Sequence, residues 1–124
     1  MRESYPETRI VEMVFPNHTN SYDQLFGGYA LSLMDKLAFI VASRHARKPV
    51  VTASSDKIEF RSPVKEGELI EFVGKIARVG RTSVTVEIEM FSENLISGAR
   101  ALCTTGKFMM VAIDADGKPT PIAD

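Results

Sequence analysis

Tryptophan is absent from this chain, cysteine occurs once and histidine twice. A single cysteine, Cys103, rules out an intrachain disulfide framework, and its apolar, strand-like neighbourhood marks a core residue rather than a nucleophile. Neither His18 nor His45 has cysteines or carboxylates at ligand spacing beside it, so no metal site is expected and both are read as surface or loop residues. Charge of one sign is lacking too. The formal net charge is −1 and the basic residues are scattered, which leaves no electrostatic footprint for nucleic acid. Met1-Arg2-Glu3-Ser4-Tyr5-Pro6-Glu7 has no apolar signal region, and the longest apolar run is broken near its middle by Ser32, Asp35 and Lys36, unlike a membrane span. A cytoplasmic protein with no membrane or nucleic-acid partner is the expectation. No repeat, low-complexity tract or linker divides the 124 residues, a length that suits one domain, 1–124, with its own core.

Glycine and proline are also missing between Gly28 and Pro49, and the rest of the chain is organised around that gap. The run from Asp23 to Ala42 opens with Gly27-Gly28 and sets apolar residues on almost every side of a helical wheel. Such a helix is expected to be buried all round. Ser43-Arg44-His45-Ala46-Arg47-Lys48 then supplies cations that suit a helix C-terminus, and Pro49 forbids continuation. An ionisable Asp35 inside this helix is costly unless it is paired, hydrated or used. Lys36 lies about 100° away around the helix and is a poor partner for it.

Flanking segments read as strands. Thr8 to Phe15 is β-branched and apolar, and Pro16 stops it; Asn17 to Asp23 is a polar loop. After Pro49 the period changes. Val50 to Phe60 ends in alternation, Pro63 and Gly67 bracket a turn, and Leu69 to Val79 is a long strand in which Gly74 suggests a bulge or bend. Gly80-Arg81 turns the chain into Thr82 to Phe91, where Val84, Val86, Ile88 and Met90 alternate with polar residues. Gly98 to Ile113 is the last strand, and Asp116-Gly117-Lys118-Pro119 a closing turn. The order β-α-β-β-β-β gives an α+β domain, a curved and mostly antiparallel sheet wrapped around one helix.

That order resembles the hotdog-fold acyl-CoA thioesterases, and within them the YciA-like and brain acyl-CoA hydrolase group. Thr19-Asn20, Phe26-Gly27-Gly28 and Met34-Asp35 carry the resemblance, with Val51-Thr52-Ala53-Ser54 before Asp56, Pro63-Val64 before Gly67, Gly80-Arg81-Thr82-Ser83 and Gly117-Lys118-Pro119. It covers nearly the whole chain in unbroken order. The resemblance implies a thioester hydrolase in which Asp35 is the catalytic acid residue and the Gly27 N–H polarises the thioester carbonyl. A polar residue three places before that glycine assists in the family; here the place holds Gln24, with Asp23 one step earlier. Arg81, Thr82 and Ser83 are implied contacts of the coenzyme A phosphates or pantetheine, with a smaller share for Lys57, Arg61 and Lys65. Thr52 and Ser54 are implied along the pantetheine arm. No cofactor is implied beyond coenzyme A itself, as part of substrate and product.

Elementary chemistry asks for the same parts. Thioester hydrolysis needs a base or nucleophile and donors aimed at the developing oxyanion, and a helix N-terminus has free N–H groups. Asp35 follows Gly27 by eight residues, or about 12 Å along a helix, too far for both to meet one carbonyl. Two antiparallel central helices would bring Asp35 of one chain to Gly27 of another. A homodimer at minimum is expected, with a tetramer or a hexamer also open. An acyl-CoA-sensing domain without catalysis and a hotdog dehydratase are the alternatives; neither histidine sits in a dehydratase motif, and a pure binder has little use for Asp35.

Overall fold

Alternation is strictest in the fourth strand, where Val84, Val86, Ile88 and Met90 are buried against half-exposed Thr85, Glu87 and Glu89. The computed structural model describes residues 7–122. Its elements are β1 (Thr8–Met13), a 3-10 turn (Pro16–His18), α1 (Gly27–Ala46), β2 (Val50–Phe60), β3 (Leu69–Val79), β4 (Ser83–Glu93) and β5 (Arg100–Ala112). Five strands form one antiparallel sheet in the order β1-β3-β4-β5-β2. This is the hotdog arrangement expected from the sequence. All but Glu7 of the Met1 to Glu7 stretch lies outside the described residues. Among the described residues no helix is long and apolar enough to cross a membrane.

One face of the sheet takes the helix. Met34, Leu37, Ala38, Val41 and Ala42 of α1 are buried in one cluster with Phe72, Ile88, Phe108 and Met110. Cys103 is fully buried, its Sγ 3.2 Å from Ser92 Oγ, as a core cysteine should be. The helix stops where the cations and Pro49 predict. Arg47 caps it in the left-handed region (φ 52), its N–H donating to Ser43 O at 2.8 Å.

Burial on every side is not what the helix shows. Gly27, Gly28, Leu31, Ser32, Lys36 and Phe39 are exposed along one side of it, Leu31 at 37% and Phe39 at 48%. The five strands cover a single face, because one sheet can enclose only part of a helix's circumference. β2 is also open: it is the last strand of the sheet, and nearly all its residues beyond Val50 are exposed.

Gly74 does not bend β3. It is paired on both sides, opposite Thr8 and Ile88, and the irregularity falls between Ile76 and Arg78. A Cβ added at Gly74 would come within 2.9 Å of Leu37 Cγ and Ile88 Cδ1, and 3.0 Å of Val41 Cγ2. The missing side chain is what lets α1 settle onto the sheet. Gly74→Val is therefore expected to destabilise the fold by about 1–3 kcal/mol through overpacking, despite the better strand propensity of valine. Urea unfolding midpoints measure this; an unchanged midpoint would mean that the helix lifts at little cost.

Candidate active site

Asp35 sits on the open side of α1, half-buried between exposed Leu31 and Phe39, one turn away on either side. Its Oδ1 accepts a hydrogen bond from Thr52 Oγ1 at 2.7 Å. Thr52 reaches it because it stands opposite buried Met110 in the ladder and so shares the helix-facing side of β2. The cost of a carboxylate in an apolar run is met by one hydroxyl and by partial exposure. Among the described residues it has no ion-pair partner.

Gly27 is the first residue of the helix, after Phe26 in extended backbone (φ −62, ψ 129) with no side-chain cap. Its N–H is beyond the reach of intrahelical bonding, and no hydrogen bond among the described residues uses it. Beside it opens a cavity of about 330 Å³ whose wall includes Ala30, Phe60, Val64, Met90 and Thr104. An N–H without a partner at the mouth of an apolar cavity can hold a carbonyl oxygen. Asp35 is not part of that wall, and the eight-residue offset separates the two groups by about 12 Å along the axis. One chain does not bring them together.

The loop before the helix is tied by a residue to which the sequence alone assigned no role. Asn20 Oδ1 accepts the N–H groups of Tyr22 (2.9 Å) and Gln24 (3.2 Å), while Asn20 N donates to Gln24 O at 2.8 Å. This side-chain turn admits Asp23 at φ 60 and sets the direction in which Phe26 enters α1. A Thr-Asn pair before a polar loop is the signal that could have marked it. Gln24 is half-buried, and it is Leu25, not Gln24, that lines the cavity beside Gly27. His18 lies in the loop before the helix, in the Pro16–His18 turn, where it is half-buried with its ring stacked on Tyr29 at 4.0 Å and 12°.

The remaining nominated residues divide. A bulge at Ala53 puts Ser54 opposite exposed Met109, so Ser54 faces away from the side that Thr52 shares with Asp35. Arg81, Thr82 and Ser83 lie at the far end of the sheet from Gly27. Thr82 O accepts from Ala112 N at 2.9 Å and Ser83 stands opposite Val111, whereas the Gly27 end holds the Phe60–Thr104 pair. Within one chain they do not reach the cavity. No group of three or more His, Cys, Asp or Glu residues among those described is placed to hold a metal ion.

A single helix on a five-stranded antiparallel sheet, with a carboxylate on the helix's open side and a glycine N–H at its tip, defines a hotdog domain of the thioesterase type. Residues 22–99 match the family described as the thioesterase superfamily. The chain belongs to that family. It is 36% identical to the uncharacterized acyl-CoA thioester hydrolase YkhA of Bacillus subtilis over 94% of its own length and 69% of the relative's. Against the acyl-CoA thioester hydrolase YciA of Salmonella typhimurium the identity is 33%, over 97% and 94%. Among solved structures, an apo hexameric acyl-CoA thioesterase superposes with a TM-score of 0.91 at 39% identity, over 96% of this chain and 79% of that one. An acyl-CoA hydrolase from Staphylococcus aureus, solved with butyryl coenzyme A, gives 0.88 at 30%, over 94% and 71%.

Proposed function

We propose that two copies of this chain pair across α1 and the β2 edge and hydrolyse acyl-CoA thioesters at two equivalent sites. Each site takes Asp35 and Thr52 from one protomer and Gly27 from the other. The chain is an acyl-CoA thioester hydrolase by family and by its relatives' names. The observation that carries the shared site is the position of Asp35, open to solvent eight residues beyond the glycine N–H it must work with. Leu31 is midway between them. A two-fold axis passing Leu31 lays the helices antiparallel and sets each Asp35 against the other chain's Gly27. The same axis buries Leu31 and Phe39, and the free backbone of β2 gains a second β2.

In this reading the Gly27 N–H receives the thioester oxygen as it gains charge, and the Asp35 carboxylate either takes a proton from the attacking water or attacks the carbonyl carbon itself. The carbon–sulfur bond breaks and coenzyme A leaves as its thiol, taking the proton that water gives up. On the direct-attack route the acyl group stays on Asp35 as a mixed anhydride until water hydrolyses it, which frees the acid and restores the carboxylate. Thr52 fixes the carboxylate that it now contacts. No metal or redox group is called for, and coenzyme A enters only as part of the substrate. Support for the residues comes from the S. aureus enzyme, solved with an asparagine, an aspartate fifteen positions later and a threonine seventeen beyond that each replaced by alanine. Asn20, Asp35 and Thr52 keep both spacings. Asn20 therefore joins the proposed site, holding the turn before Gly27, and the Gln24 side chain takes the lesser part. Arg81, Thr82 and Ser83 are assigned to the coenzyme A phosphates, and Thr52 to the start of the pantetheine path. A homodimer is the minimum; a hexamer, as in the solved relative, is three such dimers. A cytoplasmic setting accords with the cytosolic acyl coenzyme A thioester hydrolase of rat, 28% identical over 32% of that protein.

Thiol release from acyl-CoAs of graded length, with sedimentation of the same sample, tests the reading. Hydrolysis by a species of two or more chains is expected; turnover by a strict monomer would refute the shared site. Thr52→Val is expected to lower kcat about tenfold, the loss of one hydrogen bond to a charged group. An unaltered kcat would remove Thr52 from the carboxylate's support.

A further inference from the structure

The buried residues that line the cavity beside Gly27 are apolar except at one point. Leu25, Ala30, Phe60, Val64 and Met90 contribute hydrocarbon, and Arg61 and Ser62 lie exposed on its outer side. Thr104 is the exception. It lines the cavity with 0% exposure, and its Oγ1 has no hydrogen-bond partner among the described residues. The residues opposite it in the ladder are Phe60 on β2, whose side chain offers no acceptor, and Met90 on β4, whose sulfur is a weak acceptor and makes no hydrogen bond with it. A buried hydroxyl left unpaired is destabilising, and valine, its near-isostere, would fill the same space without that penalty.

We infer that this hydroxyl reads the substrate: the cavity accepts acyl groups carrying a hydroxyl or keto oxygen along the chain, and Thr104 is the residue that selects them. The inference rests on the reading that Gly27 holds the thioester carbonyl, which sends the acyl chain into the cavity it borders. Phe60 links the two ends. Its ring lies 3.6 Å from the Cβ position of Gly27, and its backbone is the ladder partner of Thr104. The oxygen therefore meets Thr104 a short chain-length beyond the reacting carbon. Rotation about one side-chain bond lets the hydroxyl donate to a keto oxygen or accept from an alcohol. A site built to pair an oxygen discriminates against the plain hydrocarbon, since that substrate leaves the buried hydroxyl unsatisfied.

The test compares hexanoyl-CoA with its monohydroxylated derivatives, the hydroxyl placed in turn at each carbon from the third outward. For wild type, at least one derivative is expected to exceed hexanoyl-CoA in kcat/KM by about tenfold, the worth of one well-made buried hydrogen bond. Thr104→Val is expected to erase that ratio, and Thr104→Ser to keep it. Calorimetric binding of the same panel to chains carrying Asp35→Asn, with turnover blocked, reports selectivity separately from catalysis. A failure of the thioesterase reading would abolish turnover, yet the binding ratio would still decide for or against Thr104. Ratios that change less than threefold on Thr104→Val overturn the inference, as does a wild type that prefers hexanoyl-CoA throughout.

Discussion

Replacing Asp35 with asparagine is expected to lower kcat about a thousandfold, with KM and thermal stability close to those of the parent, the range typical for losing a positioned general base. The amide is nearly the same size and can still accept the Thr52 hydroxyl, so the half-exposed site should keep its shape. What it loses is the ability to take a proton or to attack carbon. Steady-state thiol release together with thermal melts separates these effects. A variant that kept more than a tenth of the parental kcat would show the carboxylate to be structural.

Removing the Gly27 N–H without disturbing the helix is expected to cost a further large factor, about 10²–10³ in kcat, the usual loss of one oxyanion donor. Gly27→Pro achieves this on favourable ground. Position 27 is the first of the helix, where proline is well tolerated, and Phe26 at ψ 129 already has the backbone that precedes proline. A Cβ at Gly27 meets Phe60 at an ordinary 3.6 Å. Gly27→Ala, which keeps the N–H, should lose far less. The two inactive chains also test the shared site. Mixed in equal amounts and allowed to exchange, Asp35→Asn and Gly27→Pro chains should recover about a quarter of parental activity. Half of the pairs are then hybrids with one intact site of two. No recovery after verified exchange would place both groups in one chain and sink the two-fold arrangement.

Much of this was legible in the sequence, and the parts that were not share a cause. The limits of β2 and β3 followed from Pro49, the change of period and the turn residues, and the C-terminal end of α1 from its cations. Asp35 announced itself as a charge in an apolar run. Leu31 and Phe39 misled because an apolar residue left exposed on a helix looks the same in sequence as one packed in the core. Gly74 was read as a bend since composition cannot tell a glycine that frees the backbone from one that makes room for a helix. Thr52 and Ser54 were read as sharing one side of β2, but one extra residue, Ala53, reverses the alternation between them. Thr52 was nominated for coenzyme A, and nothing in the sequence signals that its hydroxyl also donates to the Asp35 carboxylate. That contact joins residues seventeen apart on different elements and becomes visible only once the strand is laid beside the helix.

The two borders of the sheet are unequal, β1 with six residues and β2 with eleven. If the long border is consumed by a twin across a two-fold axis, only the short ones remain outermost, and a stub of that length is a poor template for adding more chains. On the proposed pairing the ribbon would stop growing after one addition, so the same contact that is proposed to complete the site would also guard against fibres.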